Sequence, residues 1–141
     1  MTKKIAFVCS RGPNAEEAMR LLSDKYETVE LDDADVIVAL GGDGYMLEAI
    51  HRNMKRNLPI YGMNRGTVGF LLNAFDIDRL MERLDSAQEI KLSPLHMRVT
   101  TDSGIEQDAY AFNEVSLLRQ TRQAANLQVK IDDKVRIETL M

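Results

Sequence analysis

The run Val36-Ile37-Val38-Ala39-Leu40 constrains this chain more than any other segment. Five consecutive apolar residues leave no wet face, so they require a strand covered on both sides, as a central parallel strand is. The flanking pattern supplies the covering layers. Ile5–Cys9 reads as a first buried strand, and Asn14 opens a helix with Glu17 completing a capping box. Ala15, Ala18, Met19 and Leu22 then recur on one helical face. Thr28–Leu31 and Pro59–Gly62 read as further short strands. A helix is expected over Tyr45–Arg56 with Leu47, Ile50 and Met54 inward. Asp76 caps a last helix whose stripe is Ile77, Leu80, Met81 and Leu84. Strands alternating with helices specify a parallel sheet with helices on both faces.

The period changes at Ser93-Pro94. Leu95, Met97 and Val99 alternate with His96, Arg98 and Thr100, and Thr101–Gly104 turns into a second strand. Leu127, Val129 and Ile131 alternate likewise, Asp132-Asp133-Lys134 turns, and Val135 and Ile137 resume the pattern. These are antiparallel hairpins with one wet face. The expected organisation is therefore an α/β domain over 1–93 and the beginning of an all-β, antiparallel, sandwich-like domain over 94–141. Four such strands in one sheet leave an apolar face that something has to cover. The chain stops at Leu140-Met141 without a terminating signal, so the expectation is that part of the natural protein is missing. The open face also leads us to expect a homo-oligomer.

Composition narrows the class of function. The chain has 141 residues, 45% of them hydrophobic, and a single Cys, Cys9, which rules out a disulfide scaffold and points to a reducing compartment. With 18 Lys+Arg against 22 Asp+Glu the net charge is -4, which argues against binding nucleic acid through a broad basic surface. The longest apolar run is too short to cross a membrane, and Ile5–Cys9 is too short for a secretion-signal core. A cytoplasmic protein is expected.

Chemistry concentrates in three places. Gly41-Gly42-Asp43-Gly44 lies after the central strand and before a helix, where open parallel sheets bind ligands. The glycines let backbone amides approach a ligand, and the helix N-terminus favours an anion such as a phosphate. Asp43 would repel that phosphate unless its carboxylate handles a hydroxyl or a magnesium ion beside it. The same four residues would equally make a tight turn with Asp43 as N-cap. The second cluster, Gly62-Met63-Asn64-Arg65-Gly66-Thr67-Val68-Gly69-Phe70-Leu71, suits a loop whose Phe70 and Leu71 receive a flat ring, or a flexible loop ending in core residues. The third is Asn113-Glu114. Apolar positions change parity from Tyr110 and Phe112 to Val115 and Leu117, as at a β-bulge or where one strand ends and another begins. An amide beside a carboxylate could grip sugar hydroxyls.

Other polar residues carry weaker signals. His51 and His96 lack a partner at metal-ligand spacing, and no metal site is expected on the chain. Arg52, Lys55 and Arg56 complete a helix end. Met46, Met54 and Met63 read as core filler. Arg11 and Arg65 are loop residues within reach of a phosphate. Neither the P-loop nor the dinucleotide glycine fingerprint occurs.

The order G-G-D-G, N-R-G-T-V-G-F-L and F-N-E-V-S-L resembles the NAD kinase family over most of the chain. G-G-D-G alone also occurs in diacylglycerol, sphingosine and phosphofructo-kinases; the three motifs together are more specific. Tyr45 stands where the family often has Thr. The resemblance implies an α/β domain and a β domain with the site in the cleft between them. It implies transfer of a phosphoryl group from ATP or polyphosphate, with magnesium, to the adenosine ribose 2′-hydroxyl of NAD, giving NADP. Carried over by position, Asp43 is the proposed base. Gly41, Gly42 and Gly44 form the phosphate loop. Gly44 and Leu47 line the adenosine pocket, Phe70 lies against the adenine, and Asn113 and Glu114 hydrogen-bond NAD. Family members continue with a glycine- and threonine-rich segment contributing to the nucleotide site, and with further strands; nothing resembling it is present here. A diacylglycerol-kinase-like lipid kinase, or a non-catalytic or incomplete dinucleotide-binding fragment, is the alternative.

Overall fold

A computed structural model describes residues 3–67 and 69–141. Val68 of the second glycine cluster lies outside the described residues. Strands β1 (Ile5–Cys9), β2 (Val36–Gly41) and β3 (Ile60–Asn64) form a parallel sheet with β2 in the centre. Every residue of β2 is buried. Its side chains divide between two layers, as the doubly apolar sequence requires. Val36, Val38 and Leu40 pack with Ala18 and Leu22 of helix α1 (Pro13–Lys25) and with Leu80 and Leu84 of helix α3 (Leu80–Ser86). Ala39 packs on the other face against Met46 and Ala49 of helix α2 (Asp43–Asn53). The expected α/β architecture is formed, with helices on both faces.

Several local expectations are corrected. Helix α1 starts one residue earlier, with Gly12 as cap and Pro13 in the first turn. Glu16, rather than a Ser/Thr-type box at Asn14 and Glu17, accepts the Gly12 amide at 3.2 Å. Proline's fixed φ is already helical, which sets the start. Thr28–Leu31 makes only a single bridge to Ile5, with the Val29 amide donating to the Ile5 carbonyl at 2.9 Å, before a 3-10 turn at Leu31–Asp33. Two apolar residues among charges cannot sustain an edge strand once the chain turns away. Helix α3 begins at Leu80, not Asp76. The Asp76 carboxylate accepts the Asp78 amide at 2.9 Å, and this Asx turn competes with helix. Its apolar stripe is nevertheless as expected, with Leu80 and Leu84 buried and Ile77 and Met81 half-buried.

The phase of α2 differs by one residue. Met46, Ala49 and Asn53 are the buried residues of the helix, while Leu47, Ile50 and Met54 are half-buried, Ile50 still packing against the Ala39–Met46–Ala49 cluster. The small Ala49 permits close approach to the strand, and the buried Asn53 is satisfied by donating to the Ala49 carbonyl at 2.8 Å. Leu47 is thereby turned toward the edge of the layer.

The second half forms two separate hairpins. Strand β4 (Leu95–Thr100) pairs with β5 (Glu106–Ala111), and β6 (Leu127–Ile131) with β7 (Lys134–Leu140), all antiparallel. Gly104, at φ +81°, closes the first turn, and Asp132 and Asp133, both left-handed, close the second. The four strands do not join into one sheet, because irregular chain from Phe112 to Asn126 separates the pairs and no strand pairing crosses it among the described residues. Leu95, Val99, Leu127, Val135 and Ile137 are exposed. No helix of the described residues is long and apolar enough to cross a membrane.

The wholly buried Leu40 belongs to the one core cluster that also takes in residues of α1 and α3. Leu40→Ala is expected to cost about 2–5 kcal/mol, read as a lowered denaturant midpoint without a change in its slope.

Candidate functional site

Parallel pairing brings the three strand ends to one edge. The Ser10 amide donates to the Leu40 carbonyl at 2.9 Å, and the Arg65 amide to the Gly41 carbonyl at 2.8 Å. The first glycine loop is therefore held between the exits of β1 and β3. Gly41 is required by space: a Cβ there would lie 2.9 Å from two atoms of Tyr45. Gly42, with extended backbone, caps α2, so Asp43 is the first helical residue and not its N-cap.

That shift releases the Asp43 carboxylate for another task. It accepts the Phe70 amide at 2.8 Å on Oδ2 and 3.1 Å on Oδ1, and the Leu71 amide at 3.0 Å on Oδ1. Asp43 thus ties the second glycine loop to the first. The base of that second loop is closed by its own bonds: Asn64 amide to Asn73 carbonyl at 2.8 Å and Asn73 amide to Gly62 carbonyl at 2.9 Å. With its backbone held on Asp43, the Phe70 ring stands 91% exposed beside the loop. Arg65 is occupied locally, donating to the Asn14 carbonyl at 3.1 Å and lying 4.2 Å over the Phe75 ring. It makes a structural clamp, while Arg11 stays exposed in the β1–α1 loop.

Gly42 and Gly44 differ from Gly41. Neither has a left-handed φ, and a Cβ at either would meet nothing within 4 Å. The protein's own packing does not ask for glycine there. Both positions open onto the N-terminal end of α2, where unpaired amides and the helix dipole favour an anion.

One turn along α2, Leu47 lines a shallow groove of about 350 Å³ with Glu48, His51 and the segment Tyr110–Glu114. The structure therefore brings Leu47 together with Asn113 and Glu114, and Asp43 together with the backbone of Phe70. The two sets meet along α2, on which Asp43 and Leu47 are four residues apart and share a face. There is no bulge at Asn113-Glu114: β5 ends at Ala111, and the parity change is a strand end. The register irregularity lies instead in β6–β7, near Val129.

His51 escaped the motif reading. Its ring lies edge-on to Phe112, centroids 6.4 Å apart and planes at 84°. The available signal was its spacing, four residues beyond Leu47. His96 is paired with Asp108 at 2.8 Å and stacked on Tyr110 at 4.9 Å. Burial, and then the charge of Glu16, push the Cys9 thiol above its usual range; burial foremost also raises the Tyr45 phenol. Neither group supplies a base near neutral pH. Among the described residues no three His, Cys, Asp or Glu side chains converge on a metal position.

A parallel sheet whose strand exits carry a glycine loop, an acidic residue and the start of a helix defines an α/β domain of the open-sheet class, with its candidate site at the strand ends. A family model described as the ATP-NAD kinase N-terminal domain matches residues 3–92. Relatives named NAD kinase include that of Cereibacter sphaeroides, 48% identical over 139 residues, 99% of this chain and 55% of the relative. Those of Caulobacter vibrioides (49% over 138 residues, 98% of this chain and 53% of the relative) and Xylella fastidiosa (44% over 137, 97% and 52%) are similar. The chain belongs to the NAD kinase family. It spans about half the length of the curated relatives it matches.

The contrast between the glycines is measurable. Gly44→Ala, in open space inside a helix, is expected to fold at least as stably as the parent, gaining up to about 1 kcal/mol. Gly41→Ala, which forces Tyr45 to move, is expected to lose about 1–3 kcal/mol. Denaturant titration of the two variants checks this ordering.

Proposed function

We propose that this chain carries the acceptor half of a kinase that phosphorylates the adenosine ribose 2′-hydroxyl of NAD, giving NADP. ATP or polyphosphate serves as donor. The observation that carries the reading is the pairing of a supported carboxylate with vacant-sided glycines. Asp43 is held by the Phe70 and Leu71 amides, while Gly42 and Gly44 leave the helix end beside it open.

In this reading the amides of Gly41, Gly42 and Gly44 cradle a phosphate. Gly44 and Leu47 line the adenosine pocket, the exposed Phe70 ring stacks on adenine, and Asn113 and Glu114 grip the dinucleotide from the groove. A carboxylate has about four lone-pair sites, so Asp43 can keep its loop contacts and still accept a hydroxyl proton. The hydroxyl oxygen bonds to the terminal phosphorus as the bond from that phosphorus to the donor's leaving oxygen breaks. The hydroxyl proton passes to Asp43. Magnesium, bound with the donor, supplies charge neutralisation on its phosphates. The exposed apolar residues of the hairpins, Leu95, Val99 and Ile137 among them, support self-association of copies, and the reading places the protein in the cytoplasm.

The test is calorimetric titration of the chain with NAD, alongside a coupled assay for NADP. Saturable NAD binding is expected, with no response to diacylglycerol. Asp43→Asn keeps an oxygen for one loop amide, so NAD affinity should stay within severalfold. Turnover should fall by about tenfold or more, given the 10²–10⁴ typical of general-base help. Normal turnover by that variant defeats the base assignment. NAD binding without any NADP marks a dinucleotide-binding module, and absence of NAD binding defeats the whole reading.

A further inference from the structure

The groove contains a side chain, that of His51, to which neither the three motifs nor the proposed dinucleotide contacts give a role. His51 lies on α2 four residues beyond Leu47 and eight beyond Asp43, so the three continue one stripe of the helix. It is exposed, hence not part of the core, and its ring meets the edge of Phe112 at 6.4 Å and 84°.

Phe112 immediately precedes the Asn113-Glu114 pair, and those residues have little else to fix them. Strand pairing ends at the Leu95–Ala111 partners, and among the described residues no hydrogen bond holds Phe112, Asn113 or Glu114. Tyr110, two residues back, is anchored within its own hairpin by the stack on His96. Phe112 is anchored across to α2 instead. The hairpin reaches the helix that bears Asp43 through the groove of Leu47, Glu48, His51 and Tyr110–Glu114.

We propose that His51 is a positioning residue. Through its edge-on contact with Phe112 it sets Asn113 and Glu114 over the face of α2 that carries Asp43 and Leu47. The proposal deepens the dinucleotide reading above and rests on it. An aromatic ring at position 51 is what the contact needs, and an imidazole at the rim can supply one without burying a large apolar side chain. Coupling through a single aromatic pair is worth at most about tenfold in an equilibrium.

The experiment compares the parent chain with His51→Ala and His51→Phe by amide relaxation NMR and calorimetry. In His51→Ala, the backbone order parameters of Phe112–Glu114 are expected to fall toward the flexible range, below about 0.6. NAD affinity should drop about fivefold to tenfold. The thermal midpoint should hold to within about 2–4 °C, since an exposed side chain is removed. His51→Phe keeps a ring edge-on to Phe112 and should restore both order and affinity to within about twofold. Unchanged order and affinity in His51→Ala, or failure of His51→Phe to restore them, overturns the proposal. If the parent chain does not bind NAD, the dinucleotide reading falls, and the order parameters alone still decide whether His51 positions the segment.

Discussion

Complete burial of β2 between two helical layers is the constraint on which the rest depends. A strand with no wet face has to pair on both edges and be covered on both sides, and parallel partners put all three strand exits at one end. The loops after β1, β2 and β3 are then neighbours by geometry. The Ser10–Leu40 and Arg65–Gly41 backbone bonds lock them at the level of single residues. The position of Asp43 follows from this arrangement: it is the first helical residue reached after the buried strand ends.

The Asp43 carboxylate joins the two glycine loops. By accepting the Phe70 and Leu71 amides it gives two otherwise exposed donors a charged partner, stronger than a neutral one. It also holds an apolar ring out toward solvent next to the open glycines. The carboxylate is thereby kept in one place, the preorganisation that the proposed action on a hydroxyl requires. The loop amides leave part of the carboxylate's accepting capacity unused, so holding the loop is compatible with the role proposed for it.

The legible and illegible parts of the fold divide along physical lines. Ile5–Cys9, Val36–Leu40 and the stripe Ala15, Ala18, Leu22 were readable because burial leaves a periodic mark on the sequence. The phase of α2 was not: the wholly apolar stripe Leu47/Ile50/Met54 lies beside Met46/Ala49/Asn53, and it is the latter, smaller and partly polar, that is buried. The choice rests on how closely Ala49 can approach the strand and on a bond between Asn53 and its own helix. The end of β5 at Ala111 was likewise undecided by parity, which a bulge and a strand end alter alike. Four alternating strands read as one sheet, since alternation describes a strand and not its partner. His51 carried no mark beyond its spacing, because its contact is with Phe112, 61 residues away in the chain.

By itself the sequence determined the alternation of strands and helices, the parallel sheet, and the strand-to-helix placement of Gly41–Gly44, since all of these follow from local periodicity and from the space a glycine leaves. Only the tertiary structure decided that Asp43 binds the second glycine loop and does not cap its helix, and that Leu47 and His51 face Asn113 and Glu114. The reason is that each of these pairings joins groups more than twenty residues apart, through directional bonds or ring contacts too few to impose a pattern on the chain.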